Sequence, residues 1–258
     1  MSNSQHKTVN VLFTSAGRRV ELLTAFKNAY SELGLPGNIV VTDIDPLAPA
    51  LHVADKFHLV PRLNDPSYIP TLVSLCEQEK IDLIFPLIDP DIPKLAQHRA
   101  QIEATGATLM VIPEDAVAKT NDKWSTYEFF SSIESILTPQ SWLPEQLADA
   151  DLPDYPLFIK PRDGSASKDT YKVNNKRELD FFIEYIGSPI IQEYIPGPEI
   201  TNDVICDAAG NVMSITSRQR IQVRGGEVAK GKTIYNPQII EGCVEIVRAL
   251  PAIGPITV

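Results

Sequence analysis

Two short segments of the chain carry residues suited to holding nucleotide phosphates and an adenosine. The first is an apolar run that ends on Lys160 and enters a turn of small residues, Pro161-Arg162-Asp163-Gly164-Ser165-Ala166-Ser167. Because Pro161 prevents the run from continuing into a helix, the ammonium should project at the end of a strand. Small residues let main-chain N–H groups approach phosphate oxygens closely. Taken alone, this segment is equally consistent with an ordinary turn beside a solvated lysine.

The second segment is another strand-like run, Ile190-Ile191-Gln192-Glu193-Tyr194-Ile195, followed by a Pro-Gly-Pro turn and Glu199. Main-chain groups at Glu193, Tyr194 and Ile195 could read the edge of an adenine, and the Glu199 carboxylate could accept hydrogen bonds from ribose hydroxyls. A charged strand end before a turn is the alternative. Lys123, far upstream, offers a second cation, although alone it would be a solvated helix residue. Together the segments favour an ATP site that does not use a Walker loop.

A third candidate lies near the N-terminus, at Ser15-Ala16-Gly17-Arg18-Arg19. A glycine between a strand and a helix can leave N–H groups available to an anion. Only Gly17 is present, whereas a dinucleotide-binding turn needs three glycines. A tight turn with two solvated arginines is therefore favoured, while a contact with a substrate carboxylate or phosphate stays open. Asp89-Pro90-Asp91 follows a strand and is equally consistent with ligand contacts and with a helix cap.

Composition excludes several classes of protein. The net charge of −10 over 258 residues argues against nucleic acid or an anionic membrane as partner. The three cysteines are widely spaced, which favours a reducing cytoplasm over a disulfide framework or zinc site. The four histidines have no ligand spacing, so no metal site is predicted from them. No run resembles a signal peptide or a membrane span, and Trp124 and Trp142 are interpreted as packing residues.

Alternation of short apolar runs with helical patterns predicts an α/β fold with a parallel sheet over residues 1–115. Residues 116–258 are predicted to be an α+β domain with two parts, 116–188 and 189–258. Single helices are expected over Ile92 to Ala104 and Glu114 to Phe130. The closing run from Gly254 to Val258 is predicted to open another strand, which suggests that the natural protein continues.

The order of these motifs resembles the ATP-grasp superfamily. The matching residues are Asp122-Lys123, then Lys160-Pro161 with its turn of small residues, then Gln192 to Ile195 with Glu199. Within the superfamily, the chain most resembles proteins described as similar to the large subunit of carbamoyl-phosphate synthase. The resemblance covers essentially the whole chain. It implies a Rossmann-like pre-ATP-grasp domain, followed by an ATP-grasp fold that is incomplete at the C-terminus.

The resemblance also implies a role for each matched residue. The residues expected to contact ATP are Lys123 and Lys160 at the α- and β-phosphates, Ser165, Ala166 and Ser167 in a flexible loop over the phosphates, Glu193 and Ile195 at the adenine with Gln192 and Tyr194 beside them, and Glu199 at the ribose. The expected catalytic residues, near the γ-phosphate or the acceptor, are Arg220, Arg224 and Lys230.

The implied reaction is an ADP-forming ligation that requires ATP and Mg²⁺. ATP phosphorylates a small-molecule carboxylate to an acyl phosphate, and an amine or thiol then displaces the phosphate. The family carries its metal ligands beyond the helix that is expected to end at Leu250, so no metal ligand is predicted within this chain. A homodimer is a further expectation.

Two alternatives stay open. One is an ATP-binding module without catalysis, which the missing metal ligands would explain. The other is a dinucleotide-dependent oxidoreductase built on the N-terminal sheet, against which the single Gly17 argues.

Overall fold

The computed structural model describes residues 7–148, 150–164, 167–224 and 227–258. The chain divides into two compact units, Met1–Glu114 and Asp115–Val258. The predicted domain boundaries, including the division at 188/189, stay predictions.

The first unit is built on a five-stranded parallel sheet with the strand order β3-β2-β1-β4-β5. Its strands are β1 Val11–Thr14, β2 Ile39–Asp43, β3 Lys56–Leu59, β4 Leu83–Pro86 and β5 Thr108–Leu109. Its helices are α1 Val20–Leu33, α2 Tyr68–Glu79, α3 Asp91–Gln97 and α4 Arg99–Glu103. Every residue of β1 and β2 is buried, as expected for central parallel strands covered on both faces. The predicted α/β class is confirmed.

Helix α5, Glu114–Thr120, begins at the last residue of the first unit. The second unit continues with α6 Lys123–Ser131 and an antiparallel sheet with the order β6-β9-β7-β8. The sheet's strands are β6 Ser141–Trp142, β7 Leu157–Pro161, β8 Tyr171–Val173 and β9 Pro189–Glu193, and α7 Lys176–Tyr185 lies between β8 and β9 in the chain. Alternate residues of β7, Leu157 and Ile159, are fully buried in a cluster with Leu179 of α7. Phe158 and Lys160 therefore point to the opposite face of the sheet.

A second antiparallel sheet follows, with the order β12-β11-β10-β13. It comprises β10 Ile200–Cys206, β11 Val212–Arg224, β12 Glu227–Ile234 and β13 Gly254–Thr257, with α8 Pro237–Ala249 packed on β11. The strand predicted at Gly254 is confirmed as β13, which pairs with β10. Antiparallel sheets with helices match the predicted α+β character.

Two predicted helices are wrong in their extent. The helix expected over Ile92 to Ala104 is divided at His98 into α3 and α4. The helix expected over Glu114 to Phe130 is divided before Asp122, which has an extended backbone and caps α6 by accepting a hydrogen bond from the Ser125 amide. An aspartate capping a helix end competes with continuation of the preceding helix.

Gly37 is required by a close approach of two backbone segments in the first unit. Its φ is +146°, and an added Cβ would lie 1.8 Å from the Val9 carbonyl oxygen. We expect Gly37→Ala to lower the free energy of unfolding by roughly 2–4 kcal/mol, because backbone must move to remove the clash. Urea unfolding, monitored by far-UV circular dichroism, measures this change in the free energy of unfolding.

Gly34→Ala is the matched control, since Gly34 also has a positive φ, +61°, but nothing lies within 4 Å of its added Cβ. Only the left-handed backbone then costs stability, about 1 kcal/mol. Equal losses in the two variants would contradict the close approach at Gly37.

Candidate functional site

The structure brings Lys160, Lys123 and Glu199 within electrostatic range of one another. Lys160 lies on β7 beside Phe158, whose ring centroid is 5.9 Å from the Lys160 Nζ. Burial lowers the pKa of the Lys160 ammonium, the charge of Lys123 lowers it further, and Glu199 opposes both. Two cations in a partly dehydrated position create a local demand for negative charge that an anionic ligand can meet.

Lys123 contacts the turn that follows β7. Its ammonium donates to the carbonyl oxygens of Arg162, Asp163 and Gly164 at 3.3, 3.2 and 3.0 Å. Its main-chain N–H donates to the Arg162 carbonyl at 2.9 Å. Burial lowers the pKa of this lysine too, while Asp163 and Asp122 oppose the shift. The second predicted cation therefore stands at the predicted phosphate turn, although the two are separated by nearly forty residues in sequence.

Ser165 and Ala166 lie outside the described residues, so their predicted contacts with phosphate stay predictions. Ser167 is exposed, with a φ of +55°.

An ion pair that the sequence analysis missed fixes the turn to α6. Arg162 donates to both carboxylate oxygens of Asp122, with Nε–Oδ2 at 2.9 Å and Nη2–Oδ1 at 3.1 Å. Burial alone would raise the pKa of Asp122, but the hydrogen bonds from Arg162 and Ser125 outweigh it and the pKa is lowered. A bidentate arginine–carboxylate pair sets orientation as well as distance. The same aspartate thus starts α6 and holds the turn beside Lys160.

A cavity of about 210 Å³ opens where β9 ends. All four residues predicted around the adenine line it, together with Pro139 and Phe158; the four are Gln192, Glu193, Tyr194 and Ile195. Phe158 and the exposed Ile195 provide apolar surface for a flat ring. The Lys172 Nζ lies over the ring of Tyr194, 4.3 Å from its centroid.

At the end of β9, the main chain of Glu193 is hydrogen-bonded, whereas the next two residues lie outside the strand. The Glu193 N–H donates to the Gln140 carbonyl at 2.9 Å, and the Glu193 carboxylate accepts from the Gln140 N–H at 2.8 Å. Tyr194 and Ile195 follow the last residue of β9 and belong to no strand of the described chain. Their main-chain groups can serve a ligand, whereas the Glu193 amide is already engaged. The Gln192 amide is buried and donates to the Ser141 hydroxyl at 2.7 Å, which makes it part of the wall.

The predicted ribose and acceptor residues are brought together in part. Arg220, on β11, donates its side chain to the Glu199 carboxylate at 2.5 Å and its amide to the Glu199 carbonyl at 2.8 Å. The Glu199 side chain is 66% exposed, and its contact with ribose stays a prediction. Arg224 and Lys230 lie on the exposed end of the β11–β12 hairpin, and their catalytic roles stay predictions.

At the N-terminal sheet the glycine turn is tied down by carboxylates. The Gly17 amide donates to Asp43 at 2.7 Å, and the hydroxyls of Thr14 and Ser15 donate to one oxygen of the buried Asp91 at 2.7 and 2.8 Å. Burial raises the pKa of Asp91 against those hydrogen bonds. The amide expected to attract an anion is therefore engaged, which favours the tight-turn interpretation. The same hydrogen bond counts against the dinucleotide alternative, because the Asp43 carboxylate already accepts from the Gly17 amide.

The described residues contain no group of three or more histidine, cysteine or acidic side chains that could hold a metal ion. No helix among them is long and apolar enough to span a membrane.

Comparisons with known proteins match the two units separately. The model of the PylC-like N-terminal domain matches residues 11–110, and the model of the ATP-grasp domain matches residues 120–256, more than half of the chain. A D-alanine–D-alanine ligase of Fusobacterium nucleatum is 35% identical over 121 residues, which are 46% of this chain and 40% of the relative. The chain thus spans less than half of that relative's length.

Two solved structures show the same fold. An L-amino acid ligase from Bacillus licheniformis superposes with a TM-score of 0.70 at 18% identity, covering 98% of this chain and 63% of the other. A biotin carboxylase from Campylobacter jejuni, solved as a β-γ-ATP complex, superposes with a TM-score of 0.71 at 19% identity, covering 97% and 61%.

Two substitutions of Asp122 separate its ion pair with Arg162 from its role as the cap of α6. We expect Asp122→Asn to lower the free energy of unfolding by about 0.5–1 kcal/mol, because asparagine still caps α6 but loses the charge. Asp122→Ala should cost about 1 kcal/mol more, since the cap is lost as well. Urea denaturation at neutral pH measures both.

The lowered pKa of Asp122 predicts a matching pH dependence. The pair stabilises the fold above the unfolded pKa, about 3.9, and this contribution is lost as the pH falls through the lower folded value. The difference between wild type and Asp122→Asn should therefore shrink in acid. A difference that stays constant down to acid pH would show that the charge does not stabilise this turn.

Proposed function

Because this chain belongs to the ATP-grasp family, we propose that its second unit binds ATP between the turn after β7 and the cavity at the end of β9. The triphosphate lies against Lys160 and Lys123, and the adenine fills the cavity. In the whole protein this site supports an ADP-forming ligation of a small carboxylate to an amine or thiol.

The proposal depends mainly on the convergence of two lysines beside a ring-sized cavity. Lys160 and Lys123 come from different elements, and their charges interact strongly enough for one to lower the pKa of the other. The cavity lies on the same strand pair, since Phe158 of β7 lines it and lies opposite Gln192 of β9. A polyanion attached to a flat apolar ring satisfies both features.

The chemistry follows from what such a site can do. Phosphoryl transfer needs alignment of donor and acceptor and compensation of charge, more than covalent help from the protein. Ammonium groups that are already partly dehydrated need little reorganisation to stabilise phosphate charge. The ligases of amino acids among the relatives support an amino-acid-type carboxylate and amine as substrates.

Magnesium accompanies ATP in this proposal. The described residues offer no metal-binding cluster, so no step is assigned to a protein-bound ion. The subgroup similar to the carbamoyl-phosphate synthase large subunit, the homodimer and the cytoplasmic location stay predictions.

The proposal is tested by calorimetric titration with ATP, with and without Mg²⁺, followed by assay of ADP release with mixtures of amino acids. Micromolar binding with substrate-dependent ADP release is expected of the whole protein. Binding without ADP release would leave the ATP-binding module as the function, and no binding would overturn the site.

The role of Lys160 predicts a specific loss. Lys160→Met keeps the volume of the side chain but removes its charge, and we expect ATP affinity to fall by at least tenfold. Lys176→Met is the control, because Lys176 pairs with Asp180 on the surface of α7 and should leave affinity unchanged. If the two variants bind ATP equally well, Lys160 does not contact the phosphates.

The pH dependence gives a second readout of the same lysine. ATP favours the charged ammonium, so affinity should decline as the pH rises through the lowered pKa of Lys160, below the ordinary value of about 10.4. Lys160→Arg stays charged and should flatten this alkaline decline. An unchanged pH profile in the arginine variant would assign the decline to another group.

A further inference from the structure

A second and larger cavity, of about 500 Å³, lies between α6 and β6. Three aromatic side chains, Trp124, Tyr127 and Trp142, line it together with Glu145 and Gln146. We propose that this cavity binds a small organic cation with an ammonium or guanidinium head. The proposal does not rest on the nucleotide function.

The aromatic side chains are held in place by the fold. Trp124 and Tyr127 are three residues apart on α6 and so share one face of the helix. Their ring centroids are 5.3 Å apart with an interplanar angle of 46°. Trp142 packs against the core behind β7 and β9. All three side chains are half-buried, so part of each remains available to a ligand.

The charges around the cavity favour a cation. Glu145 is exposed at its edge, whereas the side-chain oxygen of Gln146 already accepts from the Leu143 amide at 2.7 Å. The Arg162 guanidinium, on which Glu145 acts, is hydrogen-bonded to Asp122. Those hydrogen bonds raise the pKa of Arg162 most, with Glu128 and Glu145 adding to the effect. Among the described residues that line the cavity, Glu145 is the only charged one.

An excess of negative charge beside aromatic faces is the environment in which ammonium and guanidinium groups bind. The same field repels phosphate. Neither Lys123 nor Lys160 is among the described residues that line this cavity. The larger cavity is thus unsuited to the triphosphate, even though its volume is within the range of small-molecule sites.

The two tryptophans of the whole chain are both in this cavity, so intrinsic fluorescence reports on it directly. The probes are choline and methylguanidinium, each titrated without nucleotide, with the uncharged tert-butyl analogue of choline as the neutral control. We expect a saturable change in indole emission with at least one cation and none with the neutral analogue.

Two matched variants test whether the Glu145 carboxylate contributes to binding of the cation. Glu145→Gln should weaken binding of the cation by roughly tenfold. Glu128→Gln removes another exposed charge that also acts on Arg162 but is not among the described residues that line the cavity, and should leave binding unchanged. Unfolding midpoints of both variants verify that the fold is retained.

Three outcomes would overturn the proposal: quenching that rises linearly without saturation for both cations, an equal response to the neutral analogue, or equal effects of the two glutamate variants. Because nucleotide is absent throughout, a failure here leaves the proposed ATP site untouched. A failure of ATP binding in turn leaves this result unaffected.

Discussion

Repulsion between two ammonium groups is the constraint on which the second unit depends. Lys123 begins α6 and Lys160 is the penultimate residue of β7, and both are partly withdrawn from water. Left uncompensated, such a pair would favour an open turn. Three main-chain carbonyls, the Asp122–Arg162 pair and the Glu199 carboxylate offset part of that cost. In the proposed function, the phosphates of ATP offset the remainder.

Ordinary elements create this arrangement. The N-cap aspartate starts α6 at the position that brings Lys123 against the turn, and the alternation of β7 directs Phe158 and Lys160 to the same face. Termination of β9 at Glu193 then leaves the next two residues outside the ladder. The start of α6 and the end of β7 therefore place the two cations and the apolar ring of Phe158. The end of β9 leaves main-chain groups outside the strand pairing.

The parallel sheet, the position of Lys160 and the residues of the smaller cavity could be predicted from the sequence, because each depends on a local pattern of residues. Apolar periodicity predicted the parallel sheet, and the position of Pro161 after Lys160 predicted a cation at a strand end. Gln192 to Ile195 were predicted together and line one cavity.

What could not be predicted are the partners of charged side chains across long separations. Arg162 meets Asp122 forty residues earlier, and Asp43 engages the Gly17 amide from the neighbouring strand. The break before Asp122 was missed because a capping side chain overrides helical periodicity. No side chain caps α4 at His98, and that break has no such local signal. Trp142 does pack as predicted, yet its pattern gave no sign that it also faces Trp124 and Tyr127 across a cavity.

The placement of both indoles has a consequence for how this molecule is observed. Trp124 and Trp142 belong to the second unit, so tryptophan emission, excited selectively, originates entirely from residues after 114. Amide dichroism, by contrast, sums over helices and strands of both units. If the two units unfold independently, the two signals change at different denaturant concentrations, and the gap between the midpoints reflects the difference in stability between the units.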